Sequence, residues 1–249
     1  MPNAPPTADE VMTIAAARSL PDAAVCFVGI GLPSTAANLA RRLHAPRLIL
    51  VYESGTIGSK PDVLPLSIGD GELAETADAV VSVPEIFAYW LQAGRIDIGI
   101  LGAAQVDRFG NLNSTVIGDY ATPRVRLPGA GGAPEIATSA REVFVIMRHD
   151  RRAFVERLDF VTTAGFLDGD DARRRARLPG AGPTRVITDL GILEPDPVTR
   201  ELLLTRVHPE VTIDRVCAAT AWPLKVADRV DETMPPTEAE LMTLRALQQ

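Results

Sequence analysis

An α/β fold, an open and mostly parallel sheet covered by helices, is what this sequence predicts, and two observations carry the prediction. Short unbroken apolar runs, AVCFVGI (24–30), LILVY (48–52), IDIGILG (96–102) and EVFVIM (142–147), read as strands buried on both faces. Segments with apolar residues at helical spacing alternate with them, as in a parallel sheet built through crossover helices. With 249 residues, 46% of them hydrophobic, the chain can bury one large core. Residues 1–249 are therefore read as a single domain, with 1–9 a flexible N-terminus.

The elements follow in order. After the strand at 24–30, STAANLARRLH (34–44) places Ala36, Leu39, Ala40 and Leu43 on one helical face, with Ser34 as N-cap. LILVY is the second strand. AVVSV (79–83) reads as a strand before PEIFAYWLQAG, where Pro84 fits a first helical position, Ile86, Phe87, Trp90 and Leu91 share a face, and Gly94 suits the C-terminal cap. A long glycine-rich region follows the strand at 96–102, and the strand at 142–147 comes next. The charge run DGDDARRRAR (168–177) reads as a solvated loop. RVITDLGILEPDPVTRELLLTRVHP (185–209) reads as two strands around a Pro/Asp turn, and TIDRVCAATA as a helix with Ile213, Val216 and Cys217 on one side. The closing TEAELMTLRALQQ opens with Thr237 and Glu240 in capping-box spacing and presents Leu241, Leu244 and Leu247 on one face.

Charge and composition narrow the function. Twenty-five basic against 32 acidic residues give a net charge of −7, so no basic face attracts nucleic acid or anionic lipid. The N-terminal MPNAPPTADEVMT lacks the order of a secretory signal, and no apolar run approaches the ~18 residues of a membrane span. A cytoplasmic protein without nucleic-acid or membrane partners is expected. The two cysteines, Cys26 and Cys217, show no metal-ligand spacing and are read as core thiols; no metal site is expected.

The chemistry centres on Glu53 in LILVYESGTIGSKP, where a strand ends and a loop begins. Ligands of open α/β sheets bind beyond the carboxyl ends of the strands, yet a loop acid also solvates freely or binds turn N–H groups. The GIG of residues 29–31, after a strand and about twenty residues before an acid, outlines a dinucleotide site, but the third glycine of that fingerprint falls on Ser34. Further on, GAAQVDRFGNLN and VRLPGAGGAPEIA bring glycines that either expose N–H groups to an oxyanion or simply pack a turn. Gln105, Asn111 and Asn113 suit an acyl pocket or turn caps. Arg124 and Arg126 suit a distal carboxylate, or solvent. Lys60 reads as surface, and none of His44, His149 and His208 has a Ser or Cys partner at useful spacing.

The motifs VGIGLP, YESG, GAAQVDRFGNLN, GAGGAPEIA, VITDL and HPEVT, in this order over roughly residues 10–230, resemble the β-type subunit of family I CoA-transferases. The resemblance implies the open α/β fold shared with phosphosugar isomerases. It also implies a reaction moving CoA between carboxylates through a glutamyl-CoA thioester on Glu53. The YESG segment is similar to the branch containing glutaconate and 3-oxoadipate CoA-transferases; the ketoacid branch shows SENG, and Ser54 stands at its asparagine position. Donors for the tetrahedral oxyanion are assigned to Gly131, Gly132 and the N–H of Ala133. Further substrate contacts are assigned to Gly29, Gly31, Ser54 and Gly55, with Gln105, Asn111, Asn113, Arg124 and Arg126. The GxGGF-type motif of the α-type subunit is absent from the sequence. The resemblance therefore implies an α-type partner, an active site between the two, and a heterotetramer or larger assembly. Coenzyme A and acyl-CoA enter as substrates, with no permanently bound cofactor. The expected reaction carries CoA from succinyl-CoA to 3-oxoadipate in aromatic-compound breakdown; glutaconate or another short dicarboxylate, or an acyl-CoA hydrolase relative, is the alternative. From other classes stand a dinucleotide-binding oxidoreductase and a non-catalytic phosphosugar-binding module.

Overall fold

The structure, a computed structural model, describes residues 4–248. Its first half runs α1 (Ala8–Arg18), β1 (Val25–Val28), α2 (Leu32–Leu43), β2 (Ile49–Val51), β3 (Thr56–Ile57), α3 (Gly71–Glu75), β4 (Ala79–Val80) and α4 (Val83–Glu85). A π-helical stretch Ile86–Leu91 continues α4, and β5 (Ile98–Leu101) follows. The glycine-rich region folds into β6 (Gln105–Val106), β7 (Leu112–Asn113), β8 (Val116–Ile117), β9 (Val125–Arg126) and α5 (Ala133–Ser139). The rest is β10 (Glu142–Ile146), α6 (Ala172–Arg175), β11 (Pro183–Ile187), β12 (Gly191–Pro195), β13 (Leu202–Val207), α7 (Ile213–Ala219), β14 (Lys225–Glu232) and α8 (Glu238–Leu247).

Ten strands form one sheet in the order β14-β13-β12-β11-β10-β5-β1-β2-β3-β4. The five central strands, β11 to β2 in that order, run parallel. Both faces of this part are covered, which explains its unbroken apolar runs: Cys26 and Val28 of β1 point into the layer of α1, α2 and α8, whereas Phe27 points into the layer of the π-helical stretch and α5. Phe144 and Ile146 of β10 alternate with Val143 and Val145 in the same way. Two ion pairs, Arg18 with Glu240 and Arg245 with Glu10, both at 2.6 Å, tie α1 to α8. Among the described residues, no helix is long and apolar enough to cross a membrane.

Several local expectations need correction. Gly31, not Ser34, caps α2; Pro33 is accepted in the first turn, where its missing N–H costs nothing, and Ser34 lies inside the helix. The strand expected at 79–83 is reduced to the exposed Ala79–Val80 at the sheet edge. The helix from Pro84 soon widens to π geometry, which puts Ile86 and Leu91, five residues apart, on the same buried side. Residues 185–209 form three strands rather than two, because Thr188 Oγ1 accepts the N–H groups of Leu190 and Gly191 and closes a turn between β11 and β12. The run at 168–177 contains a short helix and the buried Arg173. Cys26 is buried and its thiol is pushed up to about 12 by desolvation, with Asp97 adding to the shift; Cys217 is only half-buried. Residues 1–3 of the expected flexible N-terminus lie outside the described residues, and its last part is ordered: Thr7 and Glu10 form a capping box at the start of α1.

Candidate active site

Glu53 sits at the tip of a hairpin. Tyr52 N–H donates to Thr56 O at 3.0 Å and Gly55 N–H donates to Tyr52 O at 3.0 Å, which makes 53–55 a three-residue loop between β2 and β3. Gly55 has φ +98°, and a Cβ there would lie 2.0 Å from Val81 O, so the loop admits only glycine at this position. The strand behind it is held from below: fully buried Tyr52 has its phenol oxygen 2.9 Å from Ser34 Oγ, and Asn38 Nδ2 donates to it at 3.4 Å. Burial raises the Tyr52 pKa, opposed by these hydrogen bonds, and the group stays a neutral phenol.

The GAGG loop closes on the same carboxylate. A Cβ on Gly131 would lie 3.6 Å from Glu53 Oε2, and one on Gly132 would lie 3.3 Å from Glu53 Cδ and 2.7 Å from Phe87 Cζ. Only residues without side chains bring backbone this near. The N–H groups of Gly131 and Gly132 donate to no acceptor among the described residues. The Ala133 N–H, in contrast, is donated to Ala130 O at 3.0 Å, so its assignment as an oxyanion donor fails in this conformation. Phe87 also packs against Phe27, with centroids 5.8 Å apart, and forms an apolar wall beside the glycines.

The half-buried Glu53 carboxylate accepts no hydrogen bond from any described residue, and the buried hydroxyls Ser54 Oγ and Thr56 Oγ1 have no partner. Gly29 follows β1, two residues after Phe27, whose partner Val51 on β2 lies two residues before Glu53. Gly31 is the exposed cap of α2 beside it. All of these lie at the carboxyl ends of the parallel strands, where chain order reverses around β1.

The amides predicted as further contacts are hydrogen-bonded to other parts of the chain. Gln105 donates to Asp159 Oδ2 at 2.9 Å and accepts from Asn113 Nδ2 at 2.7 Å. Asn113 also donates to Val116 O at 2.7 Å and accepts from Thr115 N–H at 2.9 Å. Asn111 donates to Asp107 Oδ2 at 2.8 Å and Leu167 O at 2.9 Å, and accepts from Gly165 N–H at 2.8 Å. These buried amides are engaged in bonds that hold their own turns. Arg124 and Arg126 are exposed on the β8–β9 hairpin, with the Arg126 guanidinium 5.3 Å from the Tyr120 ring centre. Lys60 is exposed and paired with Asp78.

Three further participants are not identified as site residues from the sequence. Phe87 falls on an apolar helical face with Ile86, Trp90 and Leu91, a pattern that points only to core. Tyr52 lies within the YESG motif, but only the fold brings Ser34 and Asn38 to it. Ser114 accepts the Gly129 N–H on its carbonyl at 2.9 Å and donates its hydroxyl to Gly129 O at 2.8 Å, anchoring the base of the GAGG loop.

Comparison with known proteins matches residues 10–219 to the family described as Coenzyme A transferase. The chain is 61% identical over 240 residues to the B-type subunit of the 3-oxoadipate CoA-transferase of Pseudomonas knackmussii, covering 96% of this chain and 92% of that one. It is 35% identical over 235 residues to the B-type subunit of the glutaconate CoA-transferase of Acidaminococcus fermentans, covering 92% and 88%. The crystal structure of the Acidaminococcus fermentans enzyme superposes with a TM-score of 0.90 at 33% identity over 96% of this chain and 94% of that one. A more distant similarity, 26% identity covering 97% and 94%, is to the cholesterol ring-cleaving hydrolase IpdB subunit of Mycobacterium tuberculosis.

Proposed function

The chain belongs to the coenzyme A transferase family, and from that premise we propose that it carries the covalent catalyst, Glu53, of a transferase acting on 3-oxoadipate. It is the β-type subunit of a CoA-transferase. The observation that carries the role of Glu53 is its carboxylate, free of internal hydrogen bonds and packed against Gly131 and Gly132, whose N–H groups are unengaged.

The reaction needs a nucleophile that is itself a carboxylate, because CoA passes between two acids without loss of the thioester. A Glu53 oxygen attacks the acyl-CoA carbonyl, the C–S bond breaks, and a mixed anhydride and CoA thiolate result. The thiolate then attacks the Glu53 carbonyl, releasing the donor acid and leaving a glutamyl-CoA thioester. The acceptor carboxylate reverses both steps. Each stage passes through a tetrahedral oxyanion, for which a well-aimed donor supplies ~3–4 kcal/mol; Gly131 and Gly132 are assigned this part. The Phe27–Phe87 wall keeps water from the anhydride. Gly29, Gly31, Ser54 and Gly55 border the approach, and the unpartnered Ser54 hydroxyl is suited to a substrate oxygen.

Identity to the Pseudomonas knackmussii protein supports 3-oxoadipate as acceptor; succinyl-CoA as donor, a cytoplasmic location and a place in aromatic-compound breakdown belong to the same proposal. Glutaconate is the second reading, supported by the Acidaminococcus fermentans enzyme. An α-type subunit completes the site at an interface, in a heterotetramer or larger assembly, with CoA and acyl-CoA entering as substrates. The test is mass spectrometry of the assembled enzyme trapped with succinyl-CoA: a hydroxylamine-sensitive CoA adduct is expected on the peptide containing Glu53. Full transfer activity in Glu53→Ala, with no adduct on that peptide, overturns the assignment.

A further inference from the structure

Beyond the far end of α5 from Glu53 lies a cavity of about 850 Å³, bordered by α6, the chain after it, and the turn joining β12 to β13. The two sites are separate. Gly132, at the start of α5, packs on Glu53, whereas Ala137 O, five residues on, accepts from Arg173 at 3.2 Å on the cavity side.

Arg173 forms the cavity floor and is 7% exposed. Its remaining hydrogen bonds also go to backbone carbonyls: Gly180 O at 2.9 and 3.1 Å, Gly165 O at 2.8 Å and Ala164 O at 3.4 Å. Among the described residues, no carboxylate pairs with it. Burial pulls its pKa down to about 10, so it remains a cation at neutral pH. Arg177 and Arg200 stand on the rim, and neither makes an ion pair or side-chain hydrogen bond with a described residue; Arg200 lies 5.9 Å from the Phe166 ring centre. Four arginines border the cavity against two aspartates, Asp170 and Asp171, and Asp171 is already engaged by Arg174 and Arg175. A chain with net charge −7 thus concentrates positive potential in one concavity.

The backbone places these side chains at the edge of the cavity. Six described non-glycine residues have positive φ, and four of them lie at or beside this cavity: Leu167 (57°), Asp170 (44°), Arg177 (56°) and Arg200 (63°). Arg177 follows the end of α6, where Leu178 N–H returns to Arg173 O at 3.1 Å, and Arg200 closes the β12–β13 turn with its N–H donated to Asp196 O at 3.0 Å, so both stand where the chain turns at the cavity edge.

We propose that this cavity binds a small, multiply charged oxyanion, a phosphate- or carboxylate-bearing metabolite gripped between Arg177 and Arg200 above Arg173. Guanidinium groups match such oxygens two at a time, and Phe166 and Val198 offer apolar surface to the rest of the molecule. The site is independent of the chemistry at Glu53.

Calorimetric titration of the assembled enzyme with pyrophosphate, and separately with tricarballylate, tests it in the presence of saturating CoA. Saturable binding of one equivalent per chain is expected, weakened at least tenfold in Arg177→Gln/Arg200→Gln and by added salt. Pyrophosphate binding alone assigns phosphate, and tricarballylate binding alone assigns carboxylate. Hydrogen exchange on the unmodified enzyme provides the check that needs no variant: protection on adding the bound probe is expected at residues 166–178 and 198–202. No saturable binding of either probe, binding unchanged in the double variant, loss of binding with CoA, or protection confined elsewhere overturns the proposal.

Discussion

The β2–β3 hairpin and the β6–β7 hairpin both present polar side chains on tight turns beyond the carboxyl ends of parallel strands, and they differ in whether those groups are spent. At the first, Glu53, Ser54 Oγ, Thr56 Oγ1 and the N–H groups of Gly131 and Gly132 lack partners. At the second, Gln105, Asn111 and Asn113 use their amides on Asp159, Asp107 and neighbouring backbone. Unpaired buried polar groups are costly unless something external completes them. The contrast therefore separates a place built for a ligand from one built to hold loops, although the residue types alone suit both.

Glu53→Gln breaks the first region most severely. Transfer activity with the α subunit is expected to fall by at least about 10⁴-fold, with the melting temperature nearly unchanged because the carboxylate holds no internal hydrogen bond; steady-state assays and calorimetry check both. Gly132→Ala comes next. The added methyl meets Phe87 Cζ at 2.7 Å, and the displaced loop is expected to lower kcat on the order of 10²-fold. Asn113→Ala should do the reverse in the second region. Removing a hub that bonds Gln105, Val116 and Thr115 is expected to cost about 2–4 kcal/mol in denaturant unfolding, while activity of the folded protein falls less than in Gly132→Ala.

The smallest expected effect is a pH dependence at another fully spent group. His149 is stacked on Phe154 and bonded through Nε2 to Thr220 Oγ1 at 2.9 Å, and burial lowers it from 6.5 to about 3, against a weaker opposing pull from Asp150. A histidine kept neutral in the fold contributes its full stability above about 6.5 and loses it as pH falls toward about 3, because the unfolded chain takes up the proton first. His208, also lowered by burial, shares the upper part of this window. Glu240 overlaps its lower part: burial opposes its charge, but Arg18 and Thr237 hold it at about 2, so its contribution fades between about 4.5 and 2. Urea midpoints at pH 7.5 and 5.0 should differ in the native protein and differ less in His149→Asn.

Much of the fold is legible because burial on two faces imposes a simple pattern. The runs at 24–30, 48–52, 96–102 and 142–147 contain β1, β2, β5 and β10, and the Thr237–Glu240 box does cap α8. Elements with weaker internal signals are hidden from such a reading. α1 announces itself only through Thr7 and Glu10, and the exposed, charge-rich β14 has no apolar period to read. Residues 168–177 look solvated in sequence because charge is local there; Arg173 is buried only because carbonyls from three separate segments converge on it.

Sequence by itself determined the parallel α/β core, the family resemblance through ordered motifs, and the singling out of Glu53 and the GAGG loop. Tertiary structure decided which polar residues have capacity left. It put Gly131 and Gly132 against Glu53 across nearly eighty residues of chain, spent the Ala133 N–H on Ala130, and closed the amides of Gln105, Asn111 and Asn113 around their own turns. The physical reason is that a hydrogen bond depends on the place of both partners, and a sequence names the groups without saying how far apart folding leaves them.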